Sequence, residues 1–542
     1  MQQQWTKSKG QWGVGALVVA SLLLGSAAMA ADSSATADKA KAPVAPEFKA
    51  EQSLTTHAIT LNGKAVTYQA EAGTLLVTPK DPLDATESKE GDKDDKPEAL
   101  MSYVAYTLGK ETDSKRPIMF VFNGGPGSAS IWLHMGSFGP KRVDIPSDRA
   151  AGAAPYALVD NAETVLPATD LVFVDAPGTG FGHLKGKGAD RLFLGIDGDA
   201  HTMARFILQY CESHQRFNSP KFIFGESYGT TRAAVVSNLL ASQYSVAING
   251  VVMLSQILVW DNNADSPQTN PGVDQAYVLS LPTYAATAWY HHKVQSNAAS
   301  LREFLKEVEA FALKDYAYAL AQGRRLDPKA RADMASRLER YTGLSAALWE
   351  QADLRVNVGV FTQNVLGRSF NAGRLDTRFS GLSLDPLAKE SQYDPQSSAI
   401  SSAYVSLFND YVRRELKFGM GKEYHASADF GDRFDLLHRP PGEYERLPQS
   451  ANVAIDLTHA MIENPTLRVM LNVGYFDLAT PYFAANFELD HLPITGDYLS
   501  RIDRFYYPSG HMIYVVPEER VHLTQNLLNF IQNAAGSNSA AH

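Results

Sequence analysis

Between residues 221 and 236 the chain changes its periodicity within a few positions. Residues 221–224 are a short apolar run, Gly225-Glu226-Ser227-Tyr228-Gly229 follows, and Thr230 onward has the Ala- and Val-rich text of a helix. A strand that becomes a helix so abruptly forces neighbouring backbone to pass close by, and glycines on either side of a serine permit it. The pattern G-x-S-x-G marks a nucleophile elbow, in which the serine hydroxyl stands out from a strained turn. The same five letters also arise in plain Gly/Ser loops. The strand and helix patterns that flank them here favour the elbow.

The rest of the chain repeats this rhythm. Ile59, Leu61, the turn Asn62-Gly63, Val66 and Tyr68 alternate as a β-hairpin. Residues 81–98 are dense in charge and read as a solvated loop, whereas 101–108 and 117–122 read as strands. Residues 170–175 and 250–258 are further buried strands, and Asp199 is the expected cap of the helix carrying Cys211. Strands alternating with helices imply an α/β fold, with a mostly parallel central sheet flanked by helices. The rhythm breaks at Asp261, where Ala-, Leu-, Tyr- and Arg-rich text with helical spacing begins. A large, mainly helical insertion over residues 261–447 is expected to form a lid over the sheet's carboxyl edge. The core then spans 51–260 and 448–535, resuming with a helix at 451–462 and strands at 468–473 and 504–507. Residues 517–534 close it as a helix with proline in its first turn.

The amino terminus reads as a targeting segment. Lys7 and Lys9 precede an apolar run over residues 14–24, and Ala28-Met29-Ala30 supplies small residues for cleavage. Residues 1–30 are therefore an expected signal peptide, and 31–50 a flexible Ala-, Pro- and Lys-rich leader. The apolar run is too short for the ~20 residues of a spanning helix, so an exported, periplasmic or secreted protein without a membrane span is expected. Cys211 is the only cysteine of the 542 residues, which excludes an intrachain disulfide. It lies on an apolar helical face and reads as a core thiol. A formal net charge of −10, with no basic stripe, argues against a nucleic-acid partner.

A serine hydroxyl needs a base to take its proton and a third group to orient that base. In a chain of this order the acid follows a late strand, and the histidine precedes the last helix. Asp477 lies after the apolar run 468–473 and a Gly turn, and His511 sits in Ser509-Gly510-His511-Met512 ahead of the closing helix. Asp490 and Asp497 are rival acids, and His491 and His522 rival bases; their positions suit the roles less well. Charge developing on an attacked carbonyl needs backbone N–H donors, one of them next to the nucleophile. Tyr228 supplies that one, and Gly125, in the Asn123-Gly124-Gly125-Pro126-Gly127 loop after an earlier strand, the other. There is no H-E-x-x-H, no cysteine pair and no G-x-G-x-x-G opening a helix after the first strand, and His291-His292 are adjacent rather than on one helix face. No metal or nucleotide cofactor is expected.

Three motifs together resemble the serine carboxypeptidase family of α/β-hydrolases: Asn123-Gly124-Gly125-Pro126-Gly127, Asp175-Ala176-Pro177-Gly178-Thr179-Gly180-Phe181 and Gly225-Glu226-Ser227-Tyr228-Gly229. The resemblance runs from about residue 100 to 534 and is weakest in the insertion. It implies removal of single residues from peptide C-termini through an acyl-enzyme. Ser227 would be the nucleophile, Asp477 the orienting acid and His511 the base, with the Gly125 and Tyr228 amides as oxyanion donors. Asn123, Gly124 and Glu226 would bind the terminal carboxylate of a peptide substrate. Glu226 would have to hold a proton to do so, since two carboxylates repel at hydrogen-bond distance; bracing of the elbow is its plainer role. The chain departs from the family in two places. A second glutamate normally follows the glycine loop, just before a Gly-Pro; here Gly139-Pro140 is present but Ser137 stands at the glutamate's position. Ser128-Ala129 also replaces the usual Cys-Ser. Arg232 could stand in as a carboxylate partner, although a salt bridge on the helix surface is the plainer reading. Tyr284, Trp289 and Tyr290 are candidates for lining the side-chain pocket. Transfer of the acyl group to another acceptor, ester cleavage, and a non-catalytic scaffold are the alternatives.

Overall fold

Alternation of side chains along the strands sets the layers of this molecule. The computed structural model describes residues 48–61, 63–78, 96–109, 114–443 and 450–536. The expected signal segment, most of the leader, Asn62 of the hairpin turn and most of the charged loop at 81–98 lie outside the described residues. The main sheet contains β1 (Gln52–Leu61), β2 (Lys64–Val77), β3 (Glu98–Leu108), β4 (Ile118–Phe122), β5 (Asp170–Val174), β6 (Lys221–Glu226), β7 (Gly250–Leu254), β8 (Arg468–Gly474) and β9 (Ile502–Tyr507). Their order across the sheet is β1-β2-β3-β5-β4-β6-β7-β8-β9, with His183–Lys185 as an extra short strand on β3. Pairings from β1 to β5 are antiparallel. From β5 through β4, β6, β7 and β8 to β9 every pairing is parallel.

Strands β4 to β8 are buried on both faces, as their largely apolar text requires, whereas the edge strand β9 is half-buried. Phe120, Ile223, Val251, Met253, Val469 and Leu471 join the core on one face; Met119, Phe222, Phe224, Val252, Leu254 and Met470 join that on the other. The helices that matter here are α1 (Ile196–Ser213), α2 (Tyr228–Ser242), α3 (Gln275–Tyr290), α4 (Leu301–Phe311), α5 (Pro328–Thr342), α6 (Pro395–Arg414), α7 (Ala454–Glu463) and α8 (Pro517–Gly536). Helices α1, α2 and α7 cover the first face, where α3, α4 and α5 extend the core, and α6 and α8 cover the second. Cys211 is buried in the first core, and burial pushes its thiol up to about 11. Strand β7 ends at Leu254, short of the expected residue 258, because the backbone turns at Ser255 (φ 54°). Among the described residues no helix is long and apolar enough to cross a membrane.

The helical insertion is followed by a largely irregular strap from residue 415 to 443. The strap pairs with the edge of the core through its backbone: Ala428 N–H donates to Gly127 O (2.7 Å), and Ala129 N–H to Ala426 O (3.0 Å). Further on, Ile196 N–H donates to Asp435 O (2.9 Å). His438 then bridges two carboxylates, Nδ1 to Asp197 Oδ1 at 2.7 Å and Nε2 to Asp456 Oδ2 at 2.8 Å, so both ring nitrogens donate. Burial alone would lower the His438 pKa; the hydrogen bonds and charges of Asp197 and Asp456 overcome it and raise the value to about 9. A histidine raised in the folded state stabilises fully below its unfolded pKa of 6.5, and that contribution disappears as pH rises through about 9. His438→Gln should therefore cost on the order of 3 kcal/mol at the acid end of this window and little above it. Denaturant unfolding of both proteins at the two ends of the window checks this; a pH-independent difference would refute the charged bridge.

Candidate active site

Strand β6 runs to Glu226 and α2 begins at Tyr228, so Ser227 alone carries the turn. Its backbone sits at φ 60°, ψ −130°, a conformation that costs a side-chain-bearing residue about 1–3 kcal/mol and persists only where the surroundings impose it. The surroundings do. A Cβ on Gly225 would lie 2.1 Å from Gly229 O, so the turn closes only with glycine there. Strand β4 is the neighbour of β6, with Phe122 opposite Gly225, and the Asn123-Gly124-Gly125 loop leaves β4 beside the serine. A Cβ on Gly124 would lie 2.5 Å from Tyr228 N, so this loop rests directly on the first turn of α2. Gly125 and Ser227 border one cavity of about 410 Å³. The Tyr228 amide belongs to the N-terminus of α2, where unpaired N–H groups and the helix dipole favour negative charge.

His511 borders the same cavity. Asp477 is fully buried behind it, and its Oδ2 accepts from His511 Nδ1 at 2.8 Å and from Thr480 Oγ1 at 2.7 Å. Oδ1 accepts the backbone N–H groups of Ala479 (2.8 Å) and Thr480 (3.0 Å). With Nδ1 committed to Asp477, Nε2 is the nitrogen left for proton transfer. Among the described residues the Ser227 hydroxyl has no hydrogen-bond partner; in unliganded sites such contacts are often long and tighten only with substrate. Burial would depress the His511 pKa, but the charge and hydrogen bond of Asp477, aided by Glu226, leave it raised. The rival groups are engaged elsewhere: Asp490 with Arg504, His491 with Phe487 O, His522 with Glu519. His291 Nε2 donates to Thr377 O at 2.6 Å, and among the described residues no cluster of His, Cys, Asp and Glu could hold a metal ion.

Residues 92–498 match the model of the serine carboxypeptidase family, three-quarters of the chain. The chain belongs to that family. It is a serine-type carboxypeptidase, a hydrolase whose substrates are peptides. Ser227 and Asp477 fall inside the match, and His511 lies beyond its end. Among solved structures the chain resembles Kex1(delta)p, a prohormone-processing carboxypeptidase from Saccharomyces cerevisiae, at 15% identity and a TM-score of 0.50, over 86% of this chain and 91% of that one. That likeness establishes the α/β-hydrolase fold. Proline iminopeptidase from Mycobacterium smegmatis (13% identity, TM-score 0.35, 85% and 98% covered) is also similar. So is the peroxisomal α/β-hydrolase Lpx1 from Saccharomyces cerevisiae (10%, 0.30, 90% and 91%). Comparison with curated proteins gives no match.

Within this carboxypeptidase, Glu226 is buried beside Asn123 at the cavity. Burial first, and the Asp477 charge in addition, push its carboxyl up to about 7, against the pull of His511, Tyr514 and Asn123. Tyr514, which no sequence signal singled out, donates to Glu226 Oε2 at 2.9 Å. Asn123 Oδ1 accepts Leu133 N–H (3.1 Å), which fixes its amide at the cavity beside Glu226. Thr480 was also missed, although Asp-x-x-Thr is a recognisable local turn pattern. The cavity's other walls come from Trp132, Met512 and the insertion: Arg374, and the α6 face bearing Ile400 and Val405. The expected aromatic lining is elsewhere. Tyr284 is buried against Phe361 at 4.0 Å, Trp289 packs on Phe304, and Tyr290 packs on Phe476.

Arg232 also departs from expectation. It is fully buried, neither on the helix surface nor at the cavity, because its guanidinium lies between the Phe122 and Tyr228 rings. Its Nε donates to Asp199 Oδ2 at 2.8 Å and an Nη to Asn123 O at 2.6 Å. Asp199 is thus the partner of Arg232, and the residue preceding α1 is Gly195. Arg232→Met should destabilise the enzyme by about 3–5 kcal/mol by stranding Asp199, and adding Asp199→Leu should restore much of that. Chemical unfolding of the two variants measures it; equal losses in both would show that the rings, rather than the charges, matter.

Proposed function

We propose that this enzyme is exported and removes C-terminal residues from peptides through an acyl-enzyme on Ser227. The observation that carries the reading is the Asp477–His511 hydrogen bond of 2.8 Å at a cavity shared with the strained Ser227 and the raised carboxyl of Glu226. In this reading the peptide's terminal carboxylate meets Asn123 and the protonated Glu226, beside Gly124. Its last carbonyl oxygen then faces the Gly125 and Tyr228 amides. His511 Nε2 takes the Ser227 proton as Oγ attacks, and gives it to the departing amine. Water, activated by the same nitrogen, releases the acyl group. Asp477 holds the ring and compensates the imidazolium; the amides compensate the oxyanion, a term worth about 10²–10³ per donor in comparable sites. The walls formed by Trp132, Ile400, Val405 and Met512 suit an apolar leaving residue. Arg374 does not counter this, since its guanidinium is engaged by Asp265. Export rests on the basic start, apolar run and Ala-Met-Ala of residues 1–30; periplasmic protein beginning at Ala31 would support it.

The charge states set a pH dependence. Glu226 is neutral below about 7 and ionised above it, so a substrate carboxylate is repelled on the alkaline side. For a blocked dipeptide with a free C-terminus, kcat/KM should fall about tenfold per unit well above that value. The Glu226→Gln variant should lack the alkaline fall, and an amidated analogue should be cleaved far more slowly. Equal cleavage of acid and amide forms would remove the exopeptidase reading. Labelling by a serine-directed fluorophosphonate should occur at Ser227 and vanish in Ser227→Ala, with Cys211→Ala unaffected; an unlabelled folded enzyme would leave only a non-catalytic scaffold. Products formed with added alcohol or amine acceptors would mark acyl transfer in place of hydrolysis.

A further inference from the structure

The second glutamate that the family resemblance implies is absent here, with Ser137 at its position. Ser137, at that position, is fully buried, and its hydroxyl donates to Leu133 O at 2.7 Å rather than reaching the cavity. The residue before it lies flat against two phenols: a Cβ on Gly136 would meet Tyr404 Oη and Tyr514 Cε2, each at 2.6 Å. The Tyr514 ring therefore fills the space through which a side chain from this turn would approach Glu226. Tyr514 follows His511 on the short turn Ile513–Val515, and Arg520 anchors its carbonyl (3.1 Å).

We propose that Tyr514 takes over the part of the missing glutamate, as the positioning residue that fixes where Glu226 carries its proton when it receives a peptide's terminal carboxylate. The inference rests on the carboxylate-binding reading of Glu226 given above. The phenol donates to Oε2, which makes Oε2 the accepting oxygen of the acid and leaves Oε1 to carry the carboxylic proton. Asn123 borders the same cavity beside Glu226. Two carboxyls sharing one proton work as donor only while that proton remains. A phenol whose pKa burial holds well above 10 stays a donor throughout. The groups facing Glu226 are His511 and Asp477 from the late loops, Tyr514 from the turn and Tyr404 from α6.

The test compares free-acid and amidated forms of one blocked dipeptide across pH. In Tyr514→Phe the ratio of kcat/KM for acid over amide should fall several-fold, up to about tenfold, mainly through KM, since the hydrogen bond that fixes the proton of neutral Glu226 is lost. The alkaline limb for the acid substrate should also move up by about half a unit to one unit, because the phenol's bond to ionised Glu226 is gone. A structural role alone would not move that limb. A folded Tyr514→Phe enzyme with an unchanged ratio and limb overturns the assignment. Ser137→Ala supplies an independent arm that does not depend on the folding of the first: it should keep the wild-type ratio, and a fall there would return the role to position 137. If wild type itself cleaves acid and amide equally, the reading of Glu226 and this inference fall together. If wild type discriminates and Tyr514→Phe matches it, only the inference falls.

Discussion

The turn at Ser227 is unfavourable by itself, and much of the surrounding architecture holds it in place. A serine at φ 60° relaxes unless both flanks are fixed. On one side β6 is locked between β4 and β7, and Ser227 N–H still donates to Leu254 O at 3.0 Å. On the other side Thr230 N–H and its hydroxyl both return to Ser227 O, at 2.8 and 2.7 Å. Gly124 presses on the Tyr228 amide, and the buried Arg232 ties α2 to α1 and to the carbonyl of Asn123. The glycine loop is thus clamped by the same cation that braces the helix behind the elbow. Its outer side is held by the strap, through Ala426 and Ala428.

The insertion contributes more than a cover. Leu375 O accepts His511 N–H at 2.7 Å, and Arg374 O accepts Leu478 N–H at 3.0 Å, so one short segment of it ties together the loops carrying His511 and Asp477. Asp394 in turn accepts the N–H groups of Arg374 and Leu375 (2.6 and 2.9 Å). Core and insertion therefore share the work of aligning the acid and the base. Nothing in the hydropathy of residues 365–394 hints at this, because a main-chain brace leaves little trace in side-chain type.

What was legible in the text follows from periodicity and turn chemistry. Most of the parallel strands read as apolar runs, several of them followed by Gly, Asn or Asp, and chain order with strand ends is what singles out Asp477 and His511 in the text. Long-range pairing was illegible. Asp199 and Arg232 are 33 positions apart, and each looked locally like a surface or capping residue until α1 and α2 were packed together. The strap hides its function because backbone pairing across an irregular segment has no sequence period. Tyr284, Trp289 and Tyr290 were plausible pocket residues by composition, yet α3 faces the core, and α6 supplies the cavity's helical wall. Tyr514 could not be read at all. A tyrosine in a turn gains meaning only when Glu226 is found 2.9 Å away.

Two groups at the cavity are shifted the same way for opposite reasons. Glu226 is raised because burial disfavours its charge, whereas His511 is raised because Asp477 favours its charge over the cost of burial. Each also feels the other: ionising Glu226 would stabilise imidazolium, and so would weaken the base. In the proposed reaction a substrate carboxylate arrives in a pocket already holding the Asp477 charge, and Arg374, the adjacent cation, is neutralised by Asp265. A further ionised carboxyl at position 226 would be repelled by the incoming anion and would push His511 toward its inert protonated form. Keeping Glu226 neutral therefore serves two ends at once, carboxylate recognition and a free base. The low-dielectric burial that makes the elbow rigid is the same condition that keeps that proton in place.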